Sequence, residues 1–107
     1  WHENDTKEQK LQRIITQKWL AIYPDSFEAW TEFRRTGYPR LFPVVYNLSG
    51  GIIDTELQIR RLPFTRKEYN TNGEEVRKAI RYLKGADTGG TRLWWDIAEN
   101  GNFPSEN

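Results

Sequence analysis

Apolar residues recur at helical intervals near the start of the chain, and polar residues fill the positions between them. One helix face is formed by Leu11, Ile14, Ile15, Trp19 and Ile22. This spacing follows the period of an α-helix. Asp5 and Glu8 are spaced as a capping box, and Pro24 cannot continue the helix. The pattern therefore predicts a helix over residues 5–23.

A second helix is predicted over residues 25–36, with Asp25 or Ser26 as its N-cap. Aromatic side chains recur every three residues along it, at Phe27, Trp30 and Phe33. Exposed rings in a row could stack on sugars or bases. On a helix this spacing instead indicates a buried stripe, with Trp30 in the core. Tyr38, which follows the helix, is the ring that we expect to be exposed.

The end of the second helix is also marked in the sequence. Arg34 and Arg35 lie in its last turn, where positive charge suits the helix dipole. Gly37 occupies the position where a left-handed conformation ends many helices, and Pro39 prevents continuation. Because the connection between the first two helices is short, we expect them to pack together as an αα-hairpin.

The rest of the chain contains one further helical pattern between irregular segments. Residues 37–71 are predicted to be irregular. Within them residues 40–56 show no sustained period, and residues 57–64 are either an extended strand or a buried connector. A third helix is predicted over residues 72–84, with a capping box from Asn72 to Glu75 and with Gly85 after its end. Its inner face is formed by Val76, Ala79, Ile80 and Leu83. Residues 97–107 form a polar tail.

Length and composition then restrict the class of protein. A chain of 107 residues is long enough for one ordinary domain. It contains no cysteine, which excludes disulfides and thiolate metal ligands. Its net charge of +1 gives no general reason to expect binding to a phosphate backbone. No apolar run approaches the roughly 18 residues that span a bilayer.

Two glutamates provide the first candidate for chemistry. Glu28 and Glu32 lie one helical turn apart and resemble a catalytic carboxylate pair. Glycoside hydrolysis requires two carboxyl groups on opposite sides of a bond, about 5 to 9.5 Å apart. Two acids on one helix face, followed by Arg35, are better explained by local ion pairs. His2 has no nucleophile or metal-ligand partner in sequence. We therefore predict no catalytic residue and no enzyme activity.

Basic pairs provide the second candidate. Arg60 and Arg61, like Arg66 and Lys67, suit contacts with phosphate, but ion pairs with acidic residues of the chain explain them at least as well. The Thr-Gly-Gly run at residues 88–90 lacks the lysine and the preceding strand of a phosphate-binding loop. The sequence predicts no cofactor, no metal site and no nucleic-acid partner.

Several short motifs occur together in one order along the chain. They are QKW at residues 17–19, EAW at 28–30, RRTGYP at 34–39, RRLPF and the segment that follows it at 60–70, and LWWD at 93–96. In this order and near this spacing, the chain resembles the C-terminal portion of the SusD/RagB family. Members of that family are surface lipoproteins of glycan-scavenging Gram-negative bacteria. The resemblance covers nearly the whole chain.

The resemblance implies a fold. Residues 1–107 are expected to be the C-terminal part of an all-α, SusD-like fold built on tetratricopeptide-like helix pairs, with long ordered loops. The chain begins with Trp1 and contains no methionine, which also indicates a piece of a longer protein. The motif residues are expected to act as architecture that joins helices. They are Trp19, Trp30, Arg34, Arg35, Gly37, Tyr38, Pro39, Trp94 and Trp95.

The resemblance also implies a function. The parent protein is expected to bind a glycan or another nutrient, without catalysis, at the surface of the cell outer membrane. Its partner would be a SusC-type TonB-dependent transporter. The lipid-bearing cysteine and the ligand-binding aromatic residues are expected to lie outside this chain. The alternative is a helical protein-interaction scaffold with no glycan ligand, because such helix pairs serve many partners.

Overall fold

The computed structural model describes residues 2–96, which contain three α-helices and no β-strand. The helices are α1 (Lys7–Ala21), α2 (Ser26–Thr36) and α3 (Arg66–Ile80). Within this range, β pairing is limited to an isolated bridge between Asp54 and Gln58. The predicted all-α class is therefore confirmed. The predicted polar tail, residues 97–107, lies outside the described residues.

The described residues form two compact units, one that ends at Phe42 and one that begins at Pro43. The first unit contains α1 and α2, and the second contains α3 with the irregular segments on either side of it. None of the helices within residues 2–96 combines the length and the apolar character that crossing a bilayer requires.

The cap of α1 differs from the predicted one by a single residue. The Thr6 hydroxyl accepts the N–H of Gln9 at 3.2 Å, and the Gln9 side chain accepts the N–H of Thr6 at 2.9 Å. The predicted capping box from Asp5 to Glu8 is wrong because Asp5 instead contacts Arg13, at 3.1 Å. The helix spans Lys7–Ala21 and is shorter than the predicted range of 5–23.

Both predicted ends of α2 are confirmed. The side chain of Asp25 accepts the N–H of Glu28 at 3.1 Å, so Asp25 is the N-cap. At the other end Gly37 is left-handed, with φ of 75°, and its N–H donates to the carbonyl of Phe33 at 2.8 Å. Glycine adopts this conformation without the steric cost that a side chain would add. Gly37 thus satisfies a carbonyl that the helix end leaves open.

The first unit has a small core where α1 and α2 contact each other. It contains Ile15, Phe33 and Tyr38, each no more than 5% exposed. The predicted burial of Phe33 is confirmed. The predicted aromatic stripe is wrong at Phe27, which is 76% exposed. A spacing of three residues drifts around a helix, so Phe27 and Phe33 do not share one face.

The start of α3 was predicted in the wrong place. The helix begins at Arg66, and its N-cap is Thr65, whose hydroxyl accepts the N–H of Glu68 at 3.4 Å. Asn72, the predicted start, instead lies inside the helix at a kink, with φ of −142° and ψ of 34°. The polar signal at Asn72 therefore marks a break between two helical segments, because the segment before it has a cap of its own.

The end of α3 also differs from the prediction. The helix ends at Ile80, and the N–H groups of Tyr82 and Leu83 then donate to carbonyls three residues back. Bonds of this kind tighten a last turn. Gly85 is therefore not the residue after the helix. The predicted inner face holds at Val76, which is 4% exposed.

The irregular segments of the second unit are joined by backbone hydrogen bonds through Gly89. Its N–H donates to the carbonyl of Ile52, and its carbonyl accepts the N–H of Arg60, both at 2.7 Å. A Cβ at Gly89 would lie 2.8 Å from the end of the Ile53 side chain and 3.0 Å from the carbonyl oxygen of Ile52, so a larger residue would require these neighbours to shift. Of the two predictions for residues 57–64, the structure shows a connector and not a strand, and the connector is buried at Arg60 and Arg61 but exposed at Ile59 and Leu62.

Candidate functional site

The motif Arg34–Pro39, hereafter the corner, is hydrogen-bonded to both helices of the first unit. The Thr36 hydroxyl donates to the carbonyl of Glu32 at 2.7 Å and accepts the N–H of Tyr38 at 3.1 Å. The Tyr38 hydroxyl donates to the carboxylate of Glu8 on α1 at 2.7 Å. The peptide bond between Tyr38 and Pro39 is cis. The corner therefore joins the end of α2 to the first turns of α1.

Tyr38 is buried and not exposed as predicted. It is 1% exposed, and burial, with the hydrogen bond to Glu8, raises its pKa. The acceptor lies thirty residues away in sequence, so no local pattern reveals it. With the hydroxyl satisfied by Glu8, the whole phenol can be buried without a lost hydrogen bond. A phenol in this position cannot serve as a stacking surface for a ligand.

Glu28 and Glu32 are ion-paired, as predicted. Lys18 of α1 donates to both carboxylates at 2.9 Å, and Arg35 donates to Glu32 at 2.6 Å. Burial opposes the charge of Glu32, but the bonds from Arg35 and Lys18 outweigh it and lower its pKa. Bonding to Glu28 and Glu32 raises the pKa of Lys18. Both carboxylates therefore bind the same ammonium group. A catalytic pair would instead lie on opposite sides of a cleft.

The guanidinium group of Arg34 packs on the ring of Trp30. The central carbon of Arg34 lies 3.4 Å from the ring centroid, and Arg34 itself is 7% exposed. Cations are attracted to the face of an indole in this geometry. Trp30 was predicted to lie in the core, but it is only half-buried. One of its faces is occupied by Arg34, and that face is not open to a sugar ring.

The remaining motif residues differ in exposure. In the first unit Trp19 is half-buried, Pro39 is buried and Arg35 is exposed. In the second unit Trp95 is half-buried, but Trp94 is 82% exposed. The turn that carries Trp94 therefore directs its ring to solvent.

The second unit contains a buried ion cluster that the sequence did not reveal. Asp96 accepts hydrogen bonds from Arg60 at 3.5 Å and from Arg92 at 2.8 Å. The side chains of Arg60 and Asp96 are both fully buried. Arg61 is also buried, and it pairs with Asp87. Arg60 and Arg61 thus form the ion pairs that the sequence offered as the alternative to phosphate contacts.

Asp87 connects three parts of the second unit. Besides Arg61, its carboxylate accepts the N–H of Phe64 at 3.1 Å and the hydroxyl of Tyr69 at 2.7 Å. Burial works against its charge, but the bonds from Tyr69, Arg61 and Phe64 together lower its pKa. The same carboxylate raises the pKa of Tyr69. Asp87 thus connects the segment before α3, α3 itself and the segment after it.

Four partner residues of these networks were missed by sequence reasoning. They are Glu8, Lys18, Asp87 and Asp96. Lys18 and Asp96 fall inside the quoted motifs QKW and LWWD, and that is the one sequence signal that pointed toward them. Their partners lie between 4 and 36 residues away. Glu8 was assigned to a capping box with Asp5, and Asp87 carries no signal that separates it from other surface acids.

The described residues offer no group of side chains that could hold a metal, and the groove that they form lacks a stacking ring. Within residues 2–96 no group of three or more His, Cys, Asp or Glu side chains could hold a metal ion. A groove of about 920 Å³ runs along α1, lined by Gln9, Gln12, Arg13, Ile14, Thr16 and Gln17. This lining contains no aromatic ring, which a sugar-binding groove uses for stacking.

The comparison with protein families identifies the group to which this chain belongs. The SusD-like family, described as Susd and RagB outer membrane lipoprotein, matches residues 1–96. The chain belongs to this family. The resemblance that its motifs indicated is confirmed. No curated protein matches the chain significantly.

Solved structures of SusD homologues share the fold. A chitin-binding SusD homologue from Flavobacterium johnsoniae is 50% identical, with a TM-score of 0.81, over 96% of this chain and 21% of its own. A SusD homologue from Bacteroides uniformis is 49% identical, with a TM-score of 0.80, over 90% and 20%. One from Bacteroides vulgatus is 51% identical, with a TM-score of 0.78, over 90% and 19%. This chain spans about a fifth of the length of these relatives.

Proposed function

We propose that this chain is a structural, C-terminal part of a surface lipoprotein that binds a glycan or another nutrient without catalysis. The observation that carries the proposal is the family match over residues 1–96. A relative that is 50% identical over nearly the whole chain is described as chitin-binding, which supports a glycan as the ligand class. The longer protein of which the chain would be a part is called the parent below.

The arrangement of the described side chains supports a structural role within the parent. In the first unit, charged and aromatic side chains that could contact a ligand bind one another instead. Glu32 is paired with two cations, Arg34 packs on Trp30, and Tyr38 donates to Glu8. A binding site needs polar groups that converge on an open cavity, together with a stacking ring. We place the ligand-binding residues and the lipid anchor in the part of the parent outside this chain.

The parent is proposed to partner a SusC-type TonB-dependent transporter at the cell surface. Its family is described as one of outer membrane lipoproteins, which supports the location. Co-purification of the parent with the transporter encoded beside it would test the partnership. A tagged parent that never retains the transporter, under conditions that keep both folded, contradicts it.

Glycan titration tests the proposed ligand class and the proposed role of the chain together. Chitin oligosaccharides and a panel of plant glycans are titrated, by calorimetry, into the parent and into a chain of residues 1–107. We expect the parent to bind at least one glycan and residues 1–107 to bind none. Binding of equal affinity by both would place the site in this chain. A parent that binds no glycan but retains a protein partner would favour the scaffold alternative.

A further inference from the structure

Helix α3 is interrupted at an asparagine that precedes a glycine. Asn72 has φ of −142° and ψ of 34°, outside the helical range, and Gly73 follows it. A regular helix keeps ψ at about −42° and so fixes the direction of the next backbone nitrogen relative to the side chain. At Asn72 this restraint is absent, and the residue is exposed. Helical geometry therefore does not hold the side-chain amide of Asn72 apart from the nitrogen of Gly73.

The order of these two residues has a chemical consequence. An asparagine can react with the peptide bond that follows it, because its side-chain carbonyl carbon and the next backbone nitrogen can close a succinimide ring. Glycine permits this closure best, since it has no Cβ to crowd the nitrogen and adopts conformations that other residues resist. Within residues 2–96, glycine follows Asn72. Asn4, Asn47 and Asn70 instead precede aspartate, leucine and threonine.

Asn47 is held by the fold and provides a matched control. Its side-chain nitrogen donates to the carbonyl of Ile53 at 2.8 Å and to the hydroxyl of Thr55 at 3.2 Å. Its side-chain oxygen accepts the N–H of Ser49 at 3.0 Å and the hydroxyl of the same residue at 2.6 Å. These bonds fix the orientation of the amide. Ring closure at Asn47 would have to break them first.

A cation lies beside the peptide bond between Asn72 and Gly73. Arg77 follows about one turn later in α3, and its Nη1 atom is 3.4 Å from the position that a Cβ on Gly73 would occupy. Ring closure requires the nitrogen of Gly73 to lose its proton, which leaves a negative charge on that nitrogen. A guanidinium group beside this charge stabilises it. The kink thus combines a non-helical backbone, an uncrowded nitrogen and a positive charge.

We propose that Asn72 and Gly73 form a site of spontaneous deamidation in the folded protein. Hydroxide removes the N–H proton of Gly73, and the nitrogen bonds to Cγ of Asn72. The bond from Cγ to Nδ2 then breaks, and the leaving nitrogen takes a proton from water and departs as ammonia. Water afterwards opens the succinimide at one of its two carbonyl groups. The product is aspartate or isoaspartate, and no atom is oxidised or reduced.

The two products affect α3 differently. Aspartate at position 72 places a negative charge at the start of the helical segment after the kink, where it suits the helix dipole. Isoaspartate adds a methylene group to the backbone at the same point. The segment after the kink contains Val76, which is 4% exposed. We therefore expect the aspartate form to keep this segment in place and the isoaspartate form to unfold more readily.

Peptide mapping of the full-length parent tests the proposal. Folded and urea-unfolded samples are aged in the same weakly alkaline buffer, and mass spectrometry measures the loss of asparagine at positions 72 and 47. The rate at Asn72 in the folded parent should lie within about tenfold of its rate in the unfolded sample. Asn47 should be protected by more than about tenfold, since a fixed side chain reacts only in opened molecules. Equal protection of the two asparagines overturns the proposal.

Two variants of the parent test the parts of the site. Gly73→Ala should slow the reaction at Asn72 by about tenfold, with the helix content in circular dichroism unchanged, because the added Cβ crowds the nitrogen. Arg77→Gln should slow it by a smaller factor, and Arg77→Lys should restore part of the rate. An unchanged rate in Gly73→Ala overturns the proposal, and one in Arg77→Gln overturns the role of the guanidinium group. Glycan binding enters neither experiment, so the proposed function is tested separately.

Discussion

The two units each bury an acidic side chain, but they neutralise it in different ways. In the first unit, Glu32 is held by Lys18 and Arg35, whose side chains are 39% and 55% exposed. In the second unit, Asp96 is paired with Arg92, whose side chain is 29% exposed, and also with Arg60, whose side chain is fully buried like that of Asp96. An ion pair whose cation keeps contact with water contributes little to stability, and breaking it costs little. In a buried pair both charged groups have lost their hydration, so removing one partner is costly.

This difference extends to the cores of the units. Among the described residues, the first unit buries Ile15, Phe33 and Tyr38, while in the second unit Val76 alone is a buried hydrophobic residue. The second unit fills its interior with Arg60, Arg61 and Asp96 instead. We infer that the first unit is most sensitive to loss of a buried apolar side chain, and that the second is most sensitive to loss of one partner of a buried ion pair.

The largest expected effect tests the buried pair. Replacing Asp96 with alanine should lower the free energy of unfolding by about 3 to 5 kcal/mol, because the buried guanidinium of Arg60 loses its counter-charge. Urea unfolding measures the change. Adding Arg60→Met to Asp96→Ala should recover part of the loss. Arg35→Gln in the first unit is the matched control, with an expected loss below about 1 kcal/mol. Equal losses in the two units would contradict the comparison.

The next effect tests the apolar core of the first unit. Phe33→Ala should cost about 3 kcal/mol, because it empties a buried aromatic site. Phe27→Ala on the same helix removes an identical ring that is 76% exposed, and should change stability by less than about 0.5 kcal/mol. Urea unfolding of both variants gives the difference. Similar losses of stability for the two variants would support the buried aromatic stripe that the sequence predicted.

The corner provides a third test, through the left-handed Gly37. Gly37→Val should cost about 1 to 3 kcal/mol, since a β-branched residue resists positive φ. Gly73 is a matched control: it lies in α3, and a Cβ there would meet nothing closer than 3.4 Å, at the flexible side chain of Arg77. Gly73→Ala should therefore be neutral or mildly stabilising in thermal unfolding. A loss at Gly73 as large as that at Gly37 would argue against backbone strain as the cause.

Removal of one hydroxyl gives a smaller effect. Tyr38→Phe keeps the buried ring but deletes the hydrogen bond to Glu8, and should cost about 1 kcal/mol. Adding Glu8→Gln to Tyr38→Phe should cost little more, because the two groups act on each other. A double-mutant cycle measured by urea unfolding isolates the coupling. Additive losses would show that the bond contributes nothing to stability.

The smallest effect is a dependence on pH. The pKa of Asp87 in the second unit and that of Glu32 in the first are both lowered in the folded protein. Stability from such groups is fully present above their unfolded pKa values and is lost as pH falls through the folded values. We expect stability to decline below about pH 4.5. Asp87→Asn and Glu32→Gln should each reduce the loss of stability at low pH. Urea unfolding at several pH values measures this loss, and an unchanged pH dependence in either variant would show that its carboxylate does not contribute.

Much of the fold could be predicted from the sequence, because its signals are local. The helical period and Asp25 define α2, Gly37 ends it, and the spacing from Glu32 to Arg35 gives an ion pair within one turn. The start of α3 could not be read in the same way. Thr65 and Asn72 both offer a polar start signal, and only the observed hydrogen bond to Thr65 decides between them.

The sequence by itself determined the helical class, the hairpin of α1 and α2 and the membership of the SusD-like family, since periodicity, caps and ordered motifs act over a few residues. The burial of Phe33 was predicted as well, but tertiary structure decided which of the other residues in the motifs are buried. Tyr38 can be buried because Glu8, thirty residues away, accepts its hydroxyl, and Asp96 is buried against Arg60, 36 residues away, although Trp94 in the same motif is exposed. Burial depends on partners that the folded chain brings together, and no window of neighbouring residues contains them.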